Sequence, residues 1–340
     1  MLYLDGSQGE GGGQIVRTAL TLSAITGIPV RIERIRAGRG TPGLRAQHVT
    51  AIQAAADICA AHTEGVEVGA EAITFAPGRP VRPGRYEWAV GTAGAATLVL
   101  QTVLLPLALA DGPSRVRVSG GTHVPFSPSA HYLRDVYLPF LWGMGAEMTL
   151  SIESYGWMPE GGGALTVEIA GGARLQGVDM RQRGPLERIF GAAVGCNLPA
   201  HIPQRIANRA INLLASLDAL VDIRPLRVSG ISTGAGIFLA AEYANGRGGC
   251  GALGRKGMPS EAVAQKAVTE LLAFDRSGAT VDEHLADQIV LPLALAEGPS
   301  WYTTPAITSH LATNIAVVRA FLDRPLSVDE ATGLVSVGDA

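Results

Sequence analysis

The segment LPLALADGPS at residues 105–114 recurs as LPLALAEGPS at residues 291–300, and the two copies differ only at Asp111 and Glu297. Such a repeat indicates that one supersecondary unit is used more than once. The hydrophobic period on either side of each copy, alternating for strands and 3.6-residue for helices, gives the same order of elements. The central copy predicts a β-α-β-α-β-β unit with strand 85–90, helix 94–110, strand 114–119, helix 129–143 and strands 146–152 and 163–169.

Two further stretches of the chain fit the same template. The first has a strand at 2–5, a helix at 14–26, a strand at 29–35, a helix at 45–61 and strands near 65–69 and 72–76. The last has a strand near 174–180, a helix from about 280, a strand at 300–304, a helix at 309–321 and strands near 326–329 and 334–337. This last unit is interrupted by roughly a hundred residues, which is enough for a small domain.

The interrupting segment has a pattern of its own: a strand, a helix from about 204 to 218, three strands and a closing helix from about 260 to 274. Its stretch GRGGCGALGRKGMPSEAV is compatible with a phosphate loop, but a turn before a helix is the commoner meaning of such residues. The sequence therefore predicts an α/β (α+β) fold whose large domain, residues 1–181 and 277–340, contains three βαβαββ repeat units. A smaller α/β domain, residues 182–276, is inserted in the third unit.

Composition limits the classes of function. The 340 residues carry a formal net charge of −3 and only 17% charged side chains, so a polyanion must be held locally rather than by an extended basic surface. The cysteines Cys59, Cys196 and Cys250 are too few and too far apart for a disulfide framework or a zinc site. The N-terminus does not resemble a secretory signal, and Gln101 within the apolar run 93–110 favours a buried helix over a membrane span. We expect a soluble, cytoplasmic protein.

The glycine-dense loop DGSQGEGGGQIVR, residues 5–17, is the first candidate site. It joins a predicted strand to a predicted helix, where free backbone N–H groups and the helix dipole favour an anion. It lacks the Gly-Lys-Ser/Thr ending of a Walker loop, and Gln14 stands where a dinucleotide fingerprint has its last glycine. Glu10 is a hard oxygen ligand suited to Mg²⁺ beside phosphates. A structural turn with glycines for close packing is the alternative.

A second candidate loop is rich in arginine. The stretch RAGRGTPGLR places three arginines on Gly- and Pro-rich backbone, an arrangement suited to gripping a phosphate. The helix that follows begins with Gln47 and His48, so its first turn presents polar side chains to the same ligand. Arg17, Arg36 and Arg39 together predict a local positive pocket, and a solvated loop is the alternative.

His310 is the most informative of the seven histidines. Thr308 or Ser309 has the character of an N-cap, so the imidazole of His310 lies in a first helical turn. The helix dipole there disfavours protonation of the imidazole. Asn314 follows one turn later on the same helix. A neutral imidazole is a competent nucleophile toward phosphorus, and a helix N-terminus also favours an anionic substrate. A histidine satisfied by capping contacts is the alternative. The remaining candidates lack the spacing that indicates zinc: His48, His123, His131 and His284.

Polar residues also occupy matched positions of the two repeat copies. The offset of 186 residues sets Asp287, which is followed by Gln288, against Gln101 of the central copy. Polar side chains at matched places in apolar helices suggest a central site, although one satisfied buried polar group per helix is ordinary.

Together these segments resemble the RNA 3'-terminal phosphate cyclases. The resemblance is carried by DGSQGEGGGQIVR, IRAGRGTPGL, VSGGTHVPFSPS, PEGGG, LADQIVLPLALA and SHLATNIAVV, and it spans nearly the whole chain, with the insert covered only loosely. The family's three βαβαββ units and smaller inserted domain agree with the organisation predicted from the repeat.

The resemblance implies a three-step reaction on RNA with a 3'-phosphate end. The family's histidine, which falls on His310, attacks the α-phosphorus of ATP and releases pyrophosphate. The RNA 3'-phosphate then takes the adenylate, and the adjacent 2'-hydroxyl expels AMP to leave a 2',3'-cyclic phosphate. No membrane partner is expected, and the oligomeric state is left open.

The resemblance also implies roles for the other candidates. Glu10 matches the family's ligand for Mg²⁺ or Mn²⁺. The nucleotide-binding positions are Gln101, Pro128, His284, Asp287 and Gln288. The positions for the RNA phosphate are Arg17, Arg36, Arg39, Gln47 and His48, with Gln14 and Asn314 as polar neighbours. Two positions depart from the family, since His284 stands where a tyrosine is common and His131 where an aspartate is common.

Two other classes of protein remain as alternatives. A catalytically silent relative that acts in ribosome assembly is expected to lack the nucleophile, whereas His310 and Glu10 are present here. An enolpyruvyl transferase, built from similar units, uses lysines near its N-terminus, but the first lysine of this chain is Lys256. The same scarcity of lysine disfavours a lysyl adenylate.

Overall fold

The computed structural model describes residues 1–9 and 11–339. Within these residues the strands form four sheets of four strands each, with helices packed on them. This mixed α/β architecture confirms the predicted fold class.

The first sheet belongs to the N-terminal unit. Its elements are β1 (Leu2–Asp5), α1 (Gln14–Thr26), β2 (Val30–Glu33), α2 (Ala46–Cys59), β3 (His62–Glu64) and β4 (Ile73–Ala76). The strand order is β1-β2-β4-β3, with β1 parallel to β2 and the other pairs antiparallel. Helix α1 ends because Gly27 adopts φ 73° and its N–H donates to the Ser23 carbonyl at 2.9 Å.

The second sheet repeats this order. Its elements are β5 (Arg85–Ala89), α3 (Ala96–Leu109), β6 (Ser114–Gly120), α4 (Ala130–Tyr132), a π-helical turn (Leu133–Tyr137), α5 (Leu138–Gly143), β7 (Met148–Ser154) and β8 (Gly163–Ile169). The order is β5-β6-β8-β7, with β5 parallel to β6 and the other pairs antiparallel.

The next sheet is formed within the interrupting segment, after β9 (Asp179–Met180). Its elements are β10 (Leu186–Cys196), α6 (His201–Leu214), β11 (Leu220–Val228), β12 (Gly234–Tyr243), β13 (Gly246–Leu253) and α7 (Ser260–Ser277). The strand order is β11-β10-β12-β13. Helices α6 and α7 cover one face and enclose a core that includes Ile189, Ile206, Leu239 and Val268.

The third repeat continues with α8 (Glu283–Leu295), β14 (Ser300–Thr303), α9 (Ser309–Phe321), β15 (Leu326–Asp329) and β16 (Leu334–Val337). Its sheet has the order β9-β14-β16-β15, with β9 parallel to β14 and the other pairs antiparallel. The pairing pattern is therefore the same in all three repeats. The domain limits, 1–181 with 277–340 and 182–276, stay a prediction.

Several elements differ from the sequence prediction, among them α6, which runs His201–Leu214 rather than from about 204 to 218. Strand β3 precedes the predicted 65–69, because Gly65 and Gly69 adopt φ 72° and 91° and turn the chain there. Strand β9 is only two residues long, and the helix predicted at 129–143 is divided by the π-helical turn.

The helices of the three repeats share one continuous core. Helix α1 packs against α2, α3 and α9, and α9 packs against α8. This arrangement brings the first turns of helices from different repeats toward one place.

Candidate active site

One cavity lies among α1, α3, α8, α9 and the π-helical turn. Six residues expected near the site from the sequence line it: Gln14, Arg17, Gln101, Asp287, Gln288 and Asn314. Thr18, Thr21 and Tyr137 also line it and were not predicted, because a threonine or tyrosine in an apolar helix gives no signal of its own. The matched repeat positions therefore do meet at a shared polar cavity.

Hydrogen bonds across this cavity join helices that are distant in sequence. Asn314 Nδ2 donates to the Asp287 carbonyl at 2.6 Å, and its Oδ1 accepts from Thr18 Oγ1 at 2.7 Å. Gln101 Nε2 donates to Gln288 Oε1 at 2.5 Å. These bonds fix α1, α3, α8 and α9 relative to one another.

His310 lies at the N-terminus of α9, where the Thr308 side chain caps the helix by accepting from Leu311 N–H at 3.1 Å. Its Nδ1 is 2.5 Å from Gln14 Oε1, while Gln14 Nε2 lies 3.4 Å from Asp287 Oδ1. Because an amide oxygen only accepts, His310 carries its proton on Nδ1. The lone pair is then on Nε2, the ring nitrogen turned away from Gln14.

Electrostatics keeps this imidazole neutral. Burial lowers the pKa of His310, and the positive charges of Arg17 and Arg39 lower it further. At neutral pH the Nε2 lone pair is therefore available for attack on an electrophile.

Arg17 and Asp287 form the charged part of the cavity wall. Desolvation raises the pKa of Asp287 to about 8, and the nearby Arg17 opposes this rise. The same desolvation lowers the pKa of Arg17 to about 10, which leaves the guanidinium protonated. The cavity thus presents one lasting positive charge beside a carboxyl group that is easily protonated.

His48 lies behind the first turn of α1. Its Nδ1 accepts from the Arg45 backbone N–H at 3.0 Å, so the proton is on Nε2, which faces Gly13. A Cβ at Gly13 would lie 2.1 Å from His48 Nε2, so only glycine fits there. Burial and the charges of Arg17, Arg36 and Arg45 lower the pKa of His48 to about 3. His48 is therefore a neutral donor directed at the glycine loop.

Some polar side chains of the arginine loop and of the helix after it bind the protein's own backbone. Arg36 adopts φ 56° and donates through Nη1 to the carbonyls of Thr41 and Gly43 at 2.9 and 3.0 Å. Arg39 is exposed, and its charge reaches His310. Gln47 Oε1 accepts from the Ala95 N–H at the start of α3, at 2.8 Å. Arg36 and Gln47 thus shape the loops around the cavity.

The remaining predicted residues fall at the edge of the cavity or outside the described chain. His284 is exposed in the first turn of α8, where its carbonyl accepts from Gln288 Nε2 at 2.6 Å. Pro128 is half-buried in the loop between β6 and α4. Glu10, the expected metal ligand, lies outside the described residues. Among the residues that are described, no three His, Cys, Asp or Glu side chains form a group that could hold a metal ion.

Asp282 organises α8 and was not predicted as a site residue, although an aspartate before Glu-His is an N-cap signal. It is buried, and its carboxylate accepts from the N–H groups of His284 and Leu285 at 2.8 and 3.0 Å. It also accepts from Gly249 N–H at 2.9 Å and from the Tyr132 hydroxyl at 3.0 and 2.9 Å. One side chain thus ties α8 to both the second repeat and the inserted sheet.

His123 and His131 form a separate buried pair, with His123 Nε2 2.8 Å from His131 Nδ1. They pack among the rings of Tyr155, Trp157 and Phe238. These contacts place both rings in the packing between the second repeat and the inserted sheet, and burial there lowers the pKa of both histidines, that of His131 to about 3.

Comparison with known proteins gives a consistent result. The family model described as RNA 3'-terminal phosphate cyclase matches residues 8–328. A protein of Trichormus variabilis named RNA 3'-terminal phosphate cyclase is 49% identical, over 99% of both chains. Proteins of the same name from Methylococcus capsulatus and Salmonella agona are 50% and 42% identical, covering 94% and 99% of this chain and 91% and 96% of theirs.

Among solved structures, the enolpyruvyl transferase NikO from Streptomyces tendae matches with a TM-score of 0.27 and 17% identity, over 50% of this chain and 33% of that chain. This likeness is too slight to bear on function. The three cysteines are free thiols. No helix in the described part of the chain is long and apolar enough to cross a membrane.

Proposed function

The chain belongs to the RNA 3'-terminal phosphate cyclase family, and we propose that it uses ATP to convert an RNA 3'-terminal phosphate to a 2',3'-cyclic phosphate through an adenylate on His310. The observation that carries this proposal is the Gln14–His310 hydrogen bond, which leaves the Nε2 lone pair of a neutral imidazole available. The enzyme would then act as a nucleotidyl-transferring ligase.

In the first step Nε2 of His310 attacks the α-phosphorus of ATP, an N–P bond forms and pyrophosphate leaves. The positive charge that develops on the ring is shared with Nδ1–H, which donates to Gln14 Oε1. Arg17 lies close enough to influence the pKa of His310, so its guanidinium can stabilise the charge on the phosphates. The helix N-terminus beneath His310 favours the same anion.

In the second step an oxygen of the RNA 3'-phosphate attacks the adenylate phosphorus, and His310 leaves as neutral imidazole. In the third the 2'-hydroxyl oxygen attacks the 3'-phosphorus and its proton passes to solvent, while the P–O bond to AMP breaks and AMP leaves. We place the RNA phosphate near the glycine loop and the arginine loop, where His48, Arg17 and Arg39 are gathered. Adenine binding by Pro128, His284, Gln101, Asp287 and Gln288 is part of the same proposal.

A divalent cation, Mg²⁺ or Mn²⁺, would supply charge neutralisation beside the phosphates when bound. The described residues supply no cluster for it, and Glu10 is the side chain we propose as its protein ligand. One carboxylate is a sufficient protein contribution for Mg²⁺, since substrate phosphates and water complete its shell. The steps derived above do not depend on it. A cytoplasmic location is likewise proposed, on the free cysteines.

The direct test is incubation with ATP labelled at the α-phosphate and a divalent metal, without RNA. Wild type should retain a label that is lost in mild acid and survives alkali, as expected for a phosphoramidate. His310→Ala should retain none, and His62→Ala, which alters an exposed histidine on β3, should label as wild type does. A folded wild type that takes no label, or a His310→Ala variant that still does, would overturn the mechanism.

A further inference from the structure

An aromatic ring stands fully in solvent on the loop that leads into α4. Phe126, in the loop between β6 and α4, is 101% exposed, more than any other large apolar side chain of the described chain. Its backbone also has φ 61°, in the left-handed region that L-residues with a side chain rarely adopt. A large apolar side chain gains nothing from such a position in the free protein, so the arrangement calls for an explanation outside packing.

The loop holds this conformation from both sides of Phe126. Ala130 N–H donates to the Thr122 carbonyl at 2.9 Å and closes the loop. Within it, Ser127 Oγ donates to the Val124 carbonyl at 3.0 Å. At its end, Ser129 Oγ caps α4 by accepting from Tyr132 N–H at 3.1 Å. The exposed ring is therefore presented by a fixed backbone rather than by a loose tip.

The same loop is attached to the wall of the cavity. Val124 packs with Ala95 and Leu98 at the start of α3, one turn before the cavity residue Gln101. Ala95 N–H is also the group that Gln47 binds, at 2.8 Å, on the side of the arginine loop. Phe126 is thus two residues from Val124, whose packing on Ala95 and Leu98 connects this loop to α3 of the proposed nucleotide cavity and, through Gln47, to the proposed phosphate loop.

We propose that Phe126 is a stacking platform for a base near the 3' end of the RNA substrate, a proposal that rests on the proposed function. Single-stranded nucleic acid is bound by positive groups along its backbone and aromatic rings under its bases. The arginine loop supplies the positive groups, and Phe126 supplies a ring that no protein side chain covers. Because the ring is already exposed, a base can reach it without displacing a protein side chain.

The test uses oligoribonucleotides ending in a 3'-phosphate, with the fluorescent base 2-aminopurine at the last or the next-to-last position. Binding to wild type should quench the fluorescence of at least one of them, since stacking quenches this base. Phe126→Ala should weaken RNA binding about 5- to 100-fold and remove the quenching, and Phe126→Trp should keep both. Trp142→Ala is the matched control, because Trp142 is another exposed aromatic residue, 55% exposed on α5.

RNA-free adenylation separates this role from others. Phe126→Ala should self-adenylate within about twofold of wild type, because the ring is not assigned to ATP. Equal losses of adenylation and RNA binding would overturn the proposal and assign the ring to adenine or to folding. RNA that binds wild type with neither base quenched would also overturn it. RNA that does not bind wild type at all would instead refute the proposed function, and the stacking proposal with it.

Discussion

Replacing Asp282 by alanine tests whether one buried carboxylate holds α8 in place. The substitution removes the cap of α8, formed with the N–H groups of His284 and Leu285, which costs about 1 kcal/mol. It also leaves the buried Gly249 N–H and the Tyr132 hydroxyl without their acceptor, at about 1–3 kcal/mol each.

Burial raises the pKa of Asp282, because desolvation disfavours the charged carboxylate in the folded protein. Removing the carboxylate relieves this desolvation penalty, which offsets part of the destabilisation. We therefore expect a net destabilisation of about 3 kcal/mol, which for a chain of this size lowers Tm by roughly 4 °C. Asp282→Asn should lose less, since its carbonyl oxygen can still cap the helix. Tyr132→Phe removes a single donor and should cost about 1 kcal/mol.

Thermal unfolding of the ligand-free proteins at neutral pH is the assay. If Asp282→Ala melts within about 1 °C of wild type, the carboxylate does not hold the three elements together. A Tyr132→Phe variant that loses as much as Asp282→Ala would show that the phenol, and not the helix cap, dominates.

Three further predictions concern the cavity itself. Gln14→Ala removes the acceptor of His310 Nδ1–H, so RNA-free adenylation should slow about tenfold through loss of the correct tautomer. Gly13→Ala places a carbon 2.1 Å from His48 Nε2, so adenylation or RNA binding should fall at least about tenfold, measured at a temperature where the variant is folded. Burial raises the pKa of Asp287 to about 8 in the folded state, whereas the unfolded chain has a pKa near 4 there. The folded state therefore binds the proton more tightly, and the Tm of wild type should decline as the pH rises from about 4 to 8. Asp287→Asn should lack this decline.

Each of these three predictions has either a matched control variant or a result that would contradict it. Equal adenylation rates for wild type and Gln14→Ala would refute the assignment of the tautomer. Gly38→Ala is the matched control for Gly13→Ala, because nothing lies within 4 Å of the added carbon there. A Tm difference between wild type and Asp287→Asn that stays constant from about pH 5 to 9 would show that Asp287 keeps an ordinary pKa.

Much of the fold could be predicted from periodicity alone. The helix predicted at 309–321 and the strands at 326–329 and 334–337 appear with those limits in α9, β15 and β16. Local patterns suffice there because each element buries one regular face. The break of the helix predicted at 129–143 could not be seen, since a π-helical turn changes hydrogen bonding without a distinctive residue pattern.

Prediction of the site was uneven for a related reason. Gln101 and Asp287 could be found because the repeat aligns them. The sequence does not distinguish an Arg36 or Gln47 that binds a ligand from one that binds the backbone. In the structure Arg36 donates to the carbonyls of residues 41 and 43, and Gln47 accepts from the Ala95 N–H. Asp282 was missed because its four donors come from three separate segments.

The sequence by itself determined the repeated βαβαββ order, the interrupted third unit and the residue types for phosphate chemistry, because these depend on local period and on motifs a few residues long. The tertiary structure decided which of those residues meet. Gln14 and His310 are 296 positions apart, and their contact exists only because α1 and α9 pack together in a shared core. The proton on Nδ1 and the lowered pKa of His310 follow from that packing, which no local pattern encodes.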